Sequence, residues 1–96
     1  MNRVSNIINA IAAEFHQIFA SDADLLLFGS RVNNTANAYS DIDLAIQHQQ
    51  TLDVDKMRQF QRFVDQIPTL YSIDLVDMDN ASAALKQQIQ QHSIQL

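Results

Sequence analysis

The scarcity of chain-breaking residues is the feature of this sequence that most restricts its fold. Among 96 residues there is one glycine, Gly29, and one proline, Pro68. Because these two residue types end helices and strands and shape turns, a chain with so few of them should be mostly regular structure. This excludes collagen-like, linker-like and many-turned all-β architectures. With 47% apolar and 18% charged residues, the composition predicts a single small globular domain spanning residues 1–96.

The charge balance and the lack of cysteine restrict the possible partners. Eleven acidic and six basic residues leave a net charge of -5, which argues against binding nucleic acid by bulk electrostatics. Without cysteine, the chain has no disulfide framework and no Cys-based zinc site. We find neither a signal-peptide core nor an apolar stretch of membrane-spanning length. We therefore expect a cytoplasmic protein that binds neither nucleic acid nor a membrane.

Hydrophobic periodicity predicts six elements in the order αββαβα. Apolar residues recur at helical spacing in residues 2–20, 53–67 and 80–94. Short apolar or alternating runs predict strands at residues 25–28, 42–46 and 71–76. The predicted fold class is α/β (α+β), a small mixed sheet of three to four strands flanked by helices. The strand order is left open.

Details of two helices follow from their composition. The middle helix is expected to begin at a cap formed by Thr51 or Asp53 and to end before Pro68. The last helix is expected to run to about residue 94. Its predicted inner face consists of four residues: Ala84, Leu85, Ile89 and His92.

A Gly-Ser pair directly follows the first predicted strand. Gly29 allows a backbone conformation that other residues avoid and lets N–H groups approach a ligand closely. The Ser30 hydroxyl and N–H groups exposed at a helix start would together form an anion cradle that fits a phosphate. An ordinary turn is the simpler interpretation of such a pair. The pair alone therefore leaves both interpretations open.

Two aspartates alternate at the start of the second predicted strand. Asp41 and Asp43 point to the same face, about 6.5–7 Å apart at Cα, so both carboxylates can reach one cation. An exposed polar face near a sheet edge is the alternative. A third acid, Asp74, lies within the third predicted strand, where an unpaired buried charge would be unfavourable. If these strands are neighbours, three carboxylates form a cluster suited to Mg²⁺. Two such ions about 3.5–4 Å apart would support phosphoryl or nucleotidyl transfer.

Together these motifs resemble the minimal nucleotidyltransferases of the DNA polymerase β superfamily. Gly-Ser-Arg at residues 29–31 and Ser-Asp-Ile-Asp-Leu-Ala at residues 40–45 are close to the motifs of that group, with ten residues between Ser30 and Asp41. A later strand that carries Asp74, followed by a helix, also matches the family's layout. The resemblance covers nearly the whole chain, although its specific motifs are confined to residues 28–46. It implies the polymerase-β-type nucleotidyltransferase core.

The resemblance also implies roles for particular residues. Gly29 and Ser30 would hold the β- and γ-phosphates of the nucleotide. Asp41 and Asp43 would ligate Mg²⁺, as a pair of ions. Asp74 would complete the metal site and accept the proton of the attacking hydroxyl.

Two further positions near the Gly-Ser pair bear on nucleotide binding. Arg31 occupies the place of the family's basic residue and would neutralise phosphate charge; a solvated loop arginine is the alternative. Family members usually carry a second glycine a few residues after Gly-Ser, and Asn34 stands in that region here. Asn tolerates left-handed φ angles better than most residues. The absence of the second glycine is nevertheless expected to affect the affinity for the nucleotide.

The remaining polar residues are given structural roles. Asp77 is expected to cap the helix that follows it, with bracing of the site as the alternative. The three histidines share no metal-ligand spacing and are assigned no function: His16, His48 and His92. The basic residues of the middle helix are interpreted as a solvated face, or as a contact surface for an acidic partner: Lys56, Arg58 and Arg62.

The resemblance extends to a biological role. Minimal nucleotidyltransferases of this kind resemble antitoxins paired with a HEPN-type ribonuclease toxin, with which they form a hetero-oligomer. The implied reaction transfers AMP from ATP to a tyrosine hydroxyl of the toxin and silences it. A binding module that neutralises its partner by masking, with an unused active site, is the alternative. An enzyme that acts alone on a small molecule would need a substrate pocket for which the chain has little room.

Overall fold

The computed structural model describes residues 3–33 and 40–96. Its elements in chain order are helix α1 (Arg3–Phe19), strand β1 (Asp24–Phe28), a 3₁₀ turn (Gly29–Arg31), strand β2 (Ile42–Gln47), helix α2 (Val54–Asp65), strand β3 (Ile73–Asp77), a second 3₁₀ turn (Met78–Asn80), helix α3 (Ala83–Gln91) and strand β4 (Ser93–Gln95). The four strands form one open sheet in the order β3-β2-β1-β4. Strand β1 is antiparallel to β2 and β4, whereas β2 and β3 are parallel. The predicted fold class is confirmed.

The larger core lies between one face of the sheet and helices α1 and α2. Strand β2 contributes Ile42, Leu44 and Ile46 to this core, all fully buried, as their alternation predicts. Helix α2 contributes Phe60, whose ring lies 5.2 Å from the ring of Phe15 on α1 in an edge-to-face arrangement. This aromatic contact joins the two helices above the sheet.

The smaller core lies on the opposite face of the sheet, beneath α3. Ile89 of α3 packs with Leu26 and Phe28 of β1 and with Ala45 of β2. Asp43 shares this side of β2 with Ala45, because side chains two residues apart on a strand point the same way. The acidic residue therefore lies at the end of the smaller core.

Helix ends are determined by local hydrogen bonds. The Asp53 carboxylate accepts from the backbone N–H groups of Asp55 and Lys56, so Asp53 rather than Thr51 is the cap of α2. The Ser82 hydroxyl accepts from the N–H of Leu85 at the start of α3.

The C-terminal part of the chain differs from the expectation. The last helix begins at Ala83 rather than residue 80 and ends at Gln91, and residues 93–95 form β4. The predicted inner-face residues Ala84 and His92 are exposed. Pairing with β1 favours the strand, because β1 would otherwise leave its backbone N–H and C=O groups unpaired at the sheet edge.

Two smaller differences concern the third strand and the loop before β2. Strand β3 begins at Ile73 rather than Tyr71. Asn34, the position that departs from the family pattern, lies outside the described residues. Within residues 3–33 and 40–96, no helix is long and apolar enough to cross a membrane.

Candidate active site

The turn after β1 places glycine against a carboxylate. Gly29 has a φ of +82°, a conformation that side-chain-bearing residues rarely adopt. A Cβ atom added at this position would overlap Oδ2 of Asp43. The carbonyl of Gly29 accepts from the N–H groups of Val32 and Asn33, at 3.0 and 3.1 Å, which closes the 3₁₀ turn. Glycine is therefore required here both by the backbone angle and by the approach of Asp43.

The strand register brings three aspartates together. Asp43 of β2 lies opposite Asp74 of the parallel neighbour β3, and opposite Phe28 of β1. Asp41 lies one residue before β2. One carboxylate oxygen from each of Asp41, Asp43 and Asp74 lies within 4.8 Å of the other two. The structure thus assembles the predicted cluster at the amino ends of two parallel strands.

Exposure differs among the three carboxylates. Asp43 is half-buried, whereas Asp41 and Asp74 are exposed. The expectation that Asp74 would be a charge inside an apolar strand is wrong. Because β3 is an edge strand, its backbone and side chains have a neighbouring strand on one side only, and the Asp74 side chain reaches solvent. Its proximity to Asp43, rather than its burial, links it to the site.

The environment of Asp43 disfavours its charged form. Partial burial raises the pKa of Asp43, and the negative charges of Asp74 and Asp41 and a hydrogen bond with Asp74 raise it further, while Arg31 opposes them. Repulsion among clustered carboxylates is typical of a site that binds a cation, because the charge of the bound cation offsets it. Three hard oxygen donors at this spacing suit Mg²⁺, so these residues fit the metal that the fold family implies.

Arg31 connects the turn to the loop that carries Asp41. Its guanidinium donates to the backbone carbonyls of Ser40 and Asp41. The same group lies over the Tyr71 ring, 5.3 Å from its centroid. Arg31 is thus not a freely solvated loop residue, because it contacts both the loop before β2 and Tyr71, which precedes β3. Its predicted contact with phosphate remains a prediction, as do the roles of Gly29 and Ser30.

A second polar cluster, which sequence reasoning missed, lies at the other end of β2 and β3. His48 Nε2 lies 2.8 Å from Oδ1 of Asp77 and 3.5 Å from Oδ2 of Asp79. Asp77 also accepts from the N–H of Asp79 and so caps the 3₁₀ turn. The expectation that it would cap the last helix is wrong, because Ser82 caps α3. His48 directly follows β2 and Asp77 ends β3. Only knowledge that these strands are parallel neighbours could have revealed the contact.

Comparisons with known proteins agree with this geometry. The chain is similar to a chain of a toxin–antitoxin structure with AMP-PNP, at 28% identity over 94% of this chain and 69% of that one, with a TM-score of 0.62. A complex of a tri-AMPylated Shewanella oneidensis HEPN toxin with its MNT antitoxin gives 27% identity over 95% and 69% of the two chains, with a TM-score of 0.62. An MntA–HpeT complex with a Tyr→Ala substitution gives 28% identity over 100% and 72%, also at 0.62.

The comparison with curated proteins gave no match. The family model described as polymerase beta nucleotidyltransferase matches residues 7–96. This span contains both strands of the acidic cluster and the Gly-Ser turn. The chain therefore belongs to the polymerase beta nucleotidyltransferase family.

Proposed function

We propose that this protein transfers AMP from ATP to a tyrosine hydroxyl of a HEPN-type toxin, with which it forms a hetero-complex in the cytoplasm. The observation that carries the proposal is the convergence of Asp41, Asp43 and Asp74 beside the Gly29 turn. One similar chain comes from a complex of a tri-AMPylated HEPN toxin with its MNT antitoxin. Another comes from a toxin–antitoxin structure with AMP-PNP. A tyrosine hydroxyl is one of the side-chain nucleophiles that form covalent adducts, and a structure of an MntA–HpeT pair carries a Tyr→Ala substitution.

Each part of the site has a task in this reaction. The N–H groups of the Gly29–Arg31 turn and the Ser30 hydroxyl bind the β- and γ-phosphates. Asp41, Asp43 and Asp74 would hold two Mg²⁺ ions. When bound, these ions would neutralise the charge that develops on the phosphates. Arg31 keeps the loop of Asp41 against the turn through the Ser40 and Asp41 carbonyls.

The chemical step is an in-line displacement at the α-phosphorus. A tyrosine oxygen of the toxin forms a bond to the α-phosphorus as the bond to the bridging oxygen of the β-phosphate breaks, and pyrophosphate leaves with that oxygen. The hydroxyl proton passes to the exposed carboxylate of Asp74, which is open to an acceptor from outside the chain. Because the acceptor belongs to another protein, the small domain needs to bind only the nucleotide and has no need of a pocket for the acceptor.

Intact-mass spectrometry tests this function directly. The protein is incubated with a HEPN-type toxin, ATP and Mg²⁺. We expect the partner to gain one or more AMP units, and peptide sequencing to place them on tyrosine. The Asp41→Asn, Asp43→Asn double variant should leave the partner unmodified. Asp65→Asn, an exposed aspartate on α2, is the matched control and should retain full transfer.

Two outcomes would overturn the catalytic proposal. If the partner gains no mass while a stable complex forms, the protein acts as a masking antitoxin. If the double variant modifies the partner as fast as the native chain, the acidic cluster is not the catalytic site.

A further inference from the structure

The second polar cluster contains an oriented imidazole. His48 is nearly enclosed, with 5% of its side chain exposed. Its Nδ1 lies 2.7 Å from the backbone carbonyl of Gln50, an acceptor only, so Nδ1 carries a proton in this contact. The other ring nitrogen, Nε2, is thereby directed at Asp77 and Asp79. A hydrogen bond from Nδ1 to a backbone carbonyl is the arrangement that orients histidines that bind metals through Nε2.

The carboxylates of Asp77 and Asp79 place negative charge around Nε2, which favours a positively charged group at this position. If Nε2 has no proton, its lone pair faces carboxylate oxygens at 2.8 and 3.5 Å, which is repulsive. A proton on Nε2 supplies one positive charge against the two negative charges of Asp77 and Asp79. Over residues 3–33 and 40–96, no lysine or arginine forms an ion pair with either carboxylate. A divalent cation would neutralise both.

The cluster is also accessible and has suitable spacing. One donor atom from each of the three residues lies within 4.8 Å of the other two. Asp79 is 67% exposed, which opens the cluster to solvent. His48 also lines a cavity of about 710 Å³ at the carboxyl end of β2, which Asp77 and Asp79 do not line. A hydrated ion can therefore reach the donors from solvent and keep water molecules as further ligands.

We propose that His48, Asp77 and Asp79 form a second cation site, for a divalent transition metal of the Zn²⁺ class, which joins the carboxyl ends of β2 and β3. One imidazole nitrogen with two carboxylates suits Zn²⁺ better than Mg²⁺, which prefers oxygen donors alone. Metal binding displaces the proton from Nε2, while the Nδ1 proton stays on the Gln50 carbonyl. The site lies at the opposite end of these strands from Asp41, Asp43 and Asp74, so it is separate from the proposed reaction.

Thermal unfolding and calorimetry with ZnCl₂ test the site. The metal-free protein is first saturated with MgCl₂, which occupies the hard oxygen donors of the acidic cluster. We expect one Zn²⁺ per chain and a rise in Tm of roughly 5–10 °C at saturation. A crystal grown with Zn²⁺ should show its anomalous peak between His48 and Asp79.

Zn²⁺ binding by single-residue variants shows whether the ion binds at this site or to other donors in the chain. Asp79→Asn changes an exposed side chain and His48→Gln retains a donor toward Asp77, so both should fold. Each is expected to weaken Zn²⁺ binding at least tenfold and to abolish the Tm shift. Asp65→Asn, which changes an exposed carboxylate outside both clusters, should bind Zn²⁺ as the native chain does. Unchanged Zn²⁺ binding in Asp79→Asn and His48→Gln, or no binding by the native chain, would overturn the proposal. Neither outcome depends on AMP transfer.

Discussion

At the scale of single residues, the electrostatics of Asp43 leads to a prediction about stability. Its carboxylate is half-buried beside Asp74 and Asp41, and its pKa is raised by burial and by these two charges. Replacing Asp43 by Asn removes the repulsion. In EDTA, we expect Asp43→Asn to increase the free energy of unfolding by up to about 1 kcal/mol. Denaturant unfolding measures the change.

The control for this prediction is again Asp65→Asn, which should change stability by less than about 0.5 kcal/mol. Adding Mg²⁺ should stabilise the native chain but not the Asp43→Asn variant, because the ion binds the ionised cluster. A loss of stability in Asp43→Asn would show that the three carboxylates do not repel one another in the folded chain.

Because of His48, we expect the free energy of unfolding of the metal-free protein to depend on pH. Burial alone lowers the pKa of His48, but hydrogen bonds to Asp77 and to the Gln50 carbonyl, with the charges of Asp77 and Asp79, outweigh burial and raise it. Because the folded pKa lies above the unfolded value of 6.5, the charged imidazole contributes its full stability below pH 6.5. That contribution is lost as the pH rises through the folded pKa.

The measurement is the free energy of unfolding in EDTA from pH 6 upward, for the native chain and His48→Gln. The native chain should lose stability relative to the variant as the pH increases. The cavity lined by His48 is also lined by four charged residues: Asp22, Asp24, Asp53 and Lys56. Because the native chain and His48→Gln share these residues, their contributions cancel in the difference between the two unfolding free energies. A difference that is independent of pH would show that folding does not raise the pKa of His48.

At the scale of elements, the C-terminal end of α1 contains a strained residue. Ala20 has a φ of +51°, in the left-handed region, and its N–H donates to the carbonyl of His16. Glycine adopts this conformation without the Cβ penalty and is preferred just after helices. We expect Ala20→Gly to stabilise the protein by about 0.5–1 kcal/mol. The exposed Ala13→Gly, in the middle of α1, should instead destabilise it by about 1 kcal/mol. Equal losses in both variants would contradict a left-handed Ala20.

At the scale of the whole molecule, Phe60 joins the two helices that cover the larger core. It is fully buried, and its ring contacts Phe15 and Phe19 of α1 at centroid distances of 5.2 and 6.0 Å. We expect Phe60→Ala to reduce the free energy of unfolding by about 3–5 kcal/mol, a large share of the stability of a domain this size. Leu70→Ala, at a fully exposed position, should have almost no effect. Comparable losses would contradict the packing of α2 on α1.

Local patterns predicted much of the fold and of the candidate site. The alternation in β2 placed Ile42 in the core and Asp43 on the other face, because side-chain direction on a strand follows from backbone geometry alone. The requirement for glycine at position 29 was similarly visible, since a turn after a strand needs a residue that accepts positive φ. The capping by Asp53 depends on residues two and three positions away.

Contacts between distant residues were decided only by the tertiary structure. The sequence by itself determined the residue types, their periodicity and the family motifs, because these are properties of neighbouring positions. It did not determine that residues 93–95 pair with β1, that Asp74 is exposed on an edge strand, or that His48 meets Asp77. Each depends on which strands lie side by side, and strand pairing is selected by the burial of the whole sheet between its helices rather than by any local preference.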